Sequence, residues 1–194
     1  VGLACVVGGL LDRRGHLFHR RSGFLQARGL LLGALREIGI AAGNFLRSGV
    51  VKVFADDVME CPSQSAALLS PYLDADGKKT EYSGKLDLDP QKFAQLVTKL
   101  DAAGLAMHVH AIGDQTVRTS LDAFAAARTA NGDKDNRHQI AHLQLVHPDD
   151  FPRFKALCVI ADFQLLWAKR EPATKGPLEP CLRPDRYRYL YPAG

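Results

Sequence analysis

Cysteine is scarce: the chain holds 4 in 194 residues, Cys5, Cys61, Cys158 and Cys181, and no two of them form a Cys-x-x-Cys pair. That spacing argues against a structural zinc knot and against a disulfide framework. Long apolar runs are missing as well. None approaches the roughly 18 to 20 residues that a bilayer span needs, so no membrane partner is expected. Charge of one sign is in short supply, since 25 basic residues face 21 acidic ones for a net charge of +4. The basic residues cluster at Arg13, Arg14, Arg20 and Arg21, with His16 and His19 between them, and again at Arg183, Arg186 and Arg188. With no aromatic stacking platform beside them they read as solvated faces, and no nucleic-acid partner is expected. No basic stretch precedes the apolar opening at residues 1–11, which reads as a buried segment or a clipped start, not as a signal peptide, so a cytoplasmic location is expected.

What is present is an ordinary globular composition, with 46% hydrophobic and 24% charged residues, which argues against disorder. The length suits one soluble domain, yet it falls below the roughly 200 to 400 residues of a complete eight-stranded α/β barrel. Residues 1–45 are Gly-rich and hard to assign, with a helix expected only over 26–38, and a domain is expected over 46–194. The β-branched run Val50, Val51, Lys52, Val53, Phe54, Ala55 reads as a buried parallel strand ending at Asp56 and Asp57. An excursion follows, with a short helix expected over 63–69. Asp89 and Pro90 then open a helix over 90–103 that Gly104 stops. Strands are expected over 105–112, 138–143 and 159–163, with helices over 114–128 and 148–157 between them. The Pro-rich tail from Glu171 reads as a long ordered loop with one short helix near Arg186.

This alternation predicts parallel strands joined by crossover helices, an α/β architecture whose sites lie at the carboxyl ends of its strands. Polar residues stand at those ends: Lys52 and Asp56, His110 and Asp114, His142 and Gln144, Asp162 and Gln164. Period 2 places His108 and His110 on one strand face, with His110 nearer the carboxyl end and His108 one layer deeper. A lone buried histidine is usually a hydrogen-bonded core residue. Successive strand ends carrying Lys, His and His suggest metal ligation instead, because imidazole is the commonest transition-metal ligand. Lys52 either snorkels or pairs with Asp56, or is carbamylated into a carboxylate able to bridge two ions. Asp114, at a strand-to-helix junction, is expected to cap the following helix.

The runs VKVFADD at 51–57, HVHAIGD at 108–114, RHQIAHLQLVHPDD at 137–150 and VIADFQLLWA at 159–168 resemble the amidohydrolase superfamily, specifically the amidohydrolase family 3 group with its N-substituted formamide deformylases. The resemblance, over about residues 46–194, implies a partial TIM (β/α)8 barrel of about strands 4 to 7. It also implies one or two divalent ions, usually zinc, and hydrolysis of C–N bonds in a small-molecule amide-type substrate by metal-activated hydroxide. Carried over by position, Lys52, His110 and His142 are the metal ligands, and Asp56, His108, Asp114 and Gln144 stand behind them. The family's first-strand His-x-His pair has no counterpart, and its proton-shuttling aspartate is expected beyond the C-terminus. Asp57 stands where the family usually has glycine. The expectation is therefore a fragment, inactive alone. The rival reading is a non-catalytic α/β binding or interaction module with structural histidines.

Overall fold

The computed structural model describes residues 49–74, 76–169 and 172–192. The helix expected over 26–38 and the boundary after residue 45 lie outside them. Every element described below lies within one unit, Val50–Gly194.

Four parallel strands form one sheet in the order β1-β2-β3-β4: β1 (Val50–Phe54), β2 (Ala106–Ala111), β3 (Gln139–His142) and β4 (Ile160–Asp162). Crossover segments carry α1 (Pro90–Ala102), α2 (Asp114–Asn131) and α3 (Phe151–Ala156), so the α/β class with parallel strands is the observed one. Each of the three later strands is one residue shorter at both ends than the sequence pattern suggests.

Local chemistry explains the helices. Asp89 accepts a hydrogen bond from the Lys92 N–H at 2.8 Å, and Pro90 occupies the first turn, where its missing N–H costs nothing. Phe93, Val97 and Leu100 then bury one face of α1, and Gly104, at φ +74°, ends it. Helix α2 runs past residue 128 to Asn131, whose amide donates to the Thr98 carbonyl at 2.9 Å and to Asp101 Oδ2 at 2.7 Å. The helix expected over 148–157 divides into a 3-10 turn, Pro148–Asp150, followed by α3. The cause is Pro152, which has no N–H to give the Pro148 carbonyl.

The expected helix at 63–69 is absent, because its backbone donors are taken by distant partners. Ser65 and Ala66 N–H groups bond the Val58 carbonyl, Ala67 bonds Asp56, Leu68 bonds the Ser83 carbonyl and Leu69 bonds Asp114. The tail holds more helix than expected: α4 (Pro172–Leu178) and the 3-10 turn Glu179–Cys181 precede the helical turn at Pro184–Tyr189. Cys61 and Cys181, separated by 120 residues, are joined as a disulfide, a pairing their spacing gave no reason to expect.

The two sheet faces differ. Val51 and Val53 of β1, Met107, Val109 and Ala111 of β2, and Ile140 of β3 meet Val97, Leu121 and Phe124 of α1 and α2 in the main core. Full burial of a Val, Leu, Ile, Phe or Met side chain contributes about 1.5–3 kcal/mol. A second cluster, including Met59, Leu68, Tyr72, Ile112, Leu145 and Leu182, packs the 56–89 excursion and the tail over the carboxyl ends of β2 and β3. The other face carries Lys52, Phe54, His108, His110 and Asp162 and is open along β1, where Val50 and Phe54 are exposed.

Candidate metal centre

Register fixes the layers of the open face. Lys52 pairs with His108 and His108 with Gln139; one layer nearer the carboxyl ends, Phe54 pairs with His110 and His110 with Ala141. His142 is opposite Ala111, so strict alternation would turn it toward the helices. It does not turn there. His142 and Leu143 have φ of +77° and +51°, and this left-handed step brings the His142 ring against His110, with centroids 4.4 Å apart at 62°. Strain of this kind, about 1–3 kcal/mol per residue, persists where surrounding structure fixes it and gathers at functional sites.

His110 Nε2 is buried and has no hydrogen-bond partner, and its nearest carboxylate oxygen, Asp56 Oδ1, is 3.9 Å away. Asp56 is fully engaged elsewhere, accepting from the N–H groups of Ile112 and Gly113 at 2.9 Å each, from Ala67 N–H at 3.3 Å and from Thr116 Oγ1 at 2.7 Å. Burial pushes this carboxyl up to about 6, against the downward pull of those four donors. Burial likewise holds the His110 and His142 imidazoles below their usual range, with His142 and Lys52 adding to it at His110, and Lys52 adding to it at His142. Both rings are therefore biased toward the neutral form that binds metal.

Lys52 is exposed, and its Nζ lies 5.4 Å from the centroid of the Phe54 ring. It makes no pair with Asp56. Burial of part of the side chain draws its ammonium below the usual lysine range, opposed by Asp162. His108, whose Nε2 is 3.7 Å from Asp162 Oδ2, is also lowered, by burial first and by Lys52 second. His142 Nδ1 lies 2.8 Å from Gln164 Oε1, and the Trp167 ring stacks on it at 5.6 Å.

Two expected roles are corrected. Asp114 does not cap α2: its Oδ1 accepts from Leu69 N–H at 2.9 Å and its Oδ2 pairs with buried Arg186 at 2.7 Å. The donors at that helix start are met by Asp56 and by the Ala67 carbonyl, which takes the Gln115 N–H at 3.2 Å. Gln144 turns away to Glu60, donating at 2.9 Å, so the amide beside the histidines is that of Gln164. His138 shows what a structural histidine looks like here. Its Nδ1 accepts from Met107 N–H at 3.1 Å, so Nε2 donates to Asp101 Oδ1 at 3.0 Å, and its ring stacks on Phe124.

The donor chemistry at the paired imidazoles suits a divalent ion in part. An orphaned buried Nε2 beside a second neutral ring is what one side of a metal centre requires, yet among the described residues no three His, Cys, Asp or Glu converge on one point. The remaining donors would have to come from outside this set.

Parallel strands joined by crossover helices, with two imidazoles meeting at their carboxyl ends, define the class: an α/β fold of the TIM-barrel type. Residues 25–193 match the model of the amidohydrolase family, and the chain belongs to it. It is similar to an uncharacterized metal-dependent hydrolase from Pyrococcus furiosus, with TM-score 0.60 and 25% identity over 82% of this chain and 31% of that one. A second metal-dependent hydrolase, from Pyrococcus horikoshii OT3, shares the fold at TM-score 0.61 and 24% identity, over 82% of this chain and 30% of its own. Among curated proteins, Protein LONG AFTER FAR-RED 3 of Arabidopsis thaliana is 32% identical over 69% of this chain and 22% of its own length. Exoenzymes regulatory protein AepA of Pectobacterium carotovorum is 33% identical over 59% of this chain and 22% of its own length. The chain thus spans about a fifth of the curated relatives it matches. Among the described residues, no helix is long and apolar enough to cross a membrane.

Proposed function

We propose that this chain supplies one part of the active centre of a zinc-dependent hydrolase that cleaves C–N bonds of amide or formamide type. The observation that carries the reading is the buried, unpartnered Nε2 of His110 held against His142 at the strand ends. His110 and His142 would hold the ion through neutral imidazole. A bound zinc ion would supply Lewis acidity toward a scissile carbonyl and toward water.

The chain's own residues prepare the place. Asp56, anchored by backbone donors, fixes the loop after β2 and leaves His110 Nε2 unpaired. Lys52, depressed by partial burial, offers a neutral amine fraction. Attack of that neutral amine on carbon dioxide would form a carbamate N–C bond, move one C=O electron pair onto oxygen and release one proton, converting the amine into an anionic ligand. The strand-end positions of His110 and His142 agree with where barrel hydrolases carry their chemistry, and Lys52 stands one layer deeper, level with His108.

Metal analysis and hydrolysis of N-formyl and acyl-amide substrates by the full-length protein test the reading, with His110→Ala and His142→Ala as comparisons. Loss of zinc and of rate in both variants is expected. Wild-type metal content and wild-type rate in both would overturn the assignment and favour a binding module with structural histidines.

A further inference from the structure

One short turn touches the His142 ring on both its edge and its face. The Gln164 carbonyl accepts the Trp167 N–H at 2.9 Å, closing Gln164, Leu165, Leu166 and Trp167 into a turn just after β4. Its two end residues both meet His142: Gln164 Oε1 is 2.8 Å from Nδ1, and the indole lies 19° from parallel with the imidazole. Its tip is not what holds it, since Leu165 and Leu166 are 68% and 82% exposed.

His142 needs holding. Its positive φ carries the ring to the face that alternation denies it, and a ring placed by a single strained residue would otherwise be free to choose its tautomer and plane. A neutral imidazole carries one N–H, and an amide oxygen can only accept. The contact to Gln164 Oε1 therefore puts the proton on Nδ1 and leaves Nε2 with its lone pair.

We infer that the Gln164–Trp167 turn is a positioning element for His142: Gln164 sets the Nδ1–H tautomer and Trp167 sets the ring plane, so that Nε2 is kept as an electron-pair donor beside His110. The inference rests on the hydrolase reading for its purpose, but its physical content is a tautomer, which metal-free protein reports. The opposite amide orientation would donate to Nδ1 and give the opposite tautomer, so the two arrangements are experimentally distinct.

Long-range 15N–1H correlation spectra of the metal-free chain near pH 8 read the tautomer directly. The Nδ1–H pattern is expected for His142 in the wild type and in Gln164→Glu, whose carboxylate also accepts. Gln164→Met keeps the length and removes the acceptor, and should revert to the Nε2–H form that unconstrained histidine prefers. In parallel, zinc affinity should fall about 10–100-fold in Gln164→Met and be retained in Gln164→Glu. A wild-type Nε2–H signal, or a tautomer unchanged in Gln164→Met, would overturn the inference. Failure of the full-length protein to take up zinc at all would contradict the hydrolase reading, while the tautomer result would still decide the role of the turn.

Discussion

His110 and His142 meet edge to face with ring centroids 4.4 Å apart, although His142 is one residue out of register with His110 across the β2–β3 ladder. The convergence is made by the backbone: His142 takes a left-handed φ of +77°, and Gln164 and Trp167 meet the ring that results. His138, immediately ahead of β3, has every ring nitrogen partnered. The contrast between these histidines separates a site from a core.

Gly113 is where the loop after β2 passes closest to the excursion. A Cβ there would stand 2.0 Å from the Ala67 carbonyl oxygen and 2.7 Å from its carbon, both backbone atoms that cannot step aside. Gly113→Ala should cost about 3 kcal/mol and loosen the Asp56 clamp. Gly104→Ala, at φ +74° with open space around it, should cost about 1 kcal/mol from backbone strain alone. Urea denaturation of the two variants checks the difference.

The buried pair of Asp114 and Arg186 ties the tail to the start of α2. Arg186→Met leaves a buried carboxylate short of its partner and should cost about 3–5 kcal/mol. Combining Arg186→Met with Asp114→Asn removes both charges and should recover part of that loss. Unfolding midpoints of the single and double variants give the coupling; strict additivity would show the pair to be energetically silent.

Asp101 governs acid stability at the opposite end of the sheet. Burial, the largest single influence, pushes its carboxyl upward, but hydrogen bonds from Asn131, Asn136 and His138 together outweigh burial and hold it below the usual carboxylate range. A depressed carboxyl stabilises the fold above its unfolded value of 3.8, and that stability is lost as pH falls through the lower folded value. Urea midpoints should therefore drop below about pH 4 in the wild type. Asp101→Asn should start lower at pH 6 and lose less on acidification.

Strands, helix starts and the strand-end positions of His110 and His142 were legible because period-2 and period-3.6 patterns, Asp89–Pro90 and the helix-ending glycines act locally, whereas Lys52 stands mid-strand in β1, level with His108. The paths of residues 61–70 and 172–191 were not, since their backbone partners are distant: Leu69 reaches Asp114, and Cys61 reaches Cys181. Asp114 looked like a cap because nothing local reveals that Arg186 would claim it. Gln164 stood out as a strand-end polar residue, but its partner became clear only once the φ of His142 had placed the ring. Gln144, the nearer amide in sequence, is drawn off by Glu60, 84 residues away.

The most direct test is X-ray absorption on the zinc-loaded chain, beside His110→Ala and His142→Ala. Two imidazole nitrogens at about 2.0–2.1 Å from zinc are expected in the wild type, with one lost in each variant and zinc content falling in both. An unchanged ligand count and zinc content in both variants would show that the paired imidazoles are not a metal site.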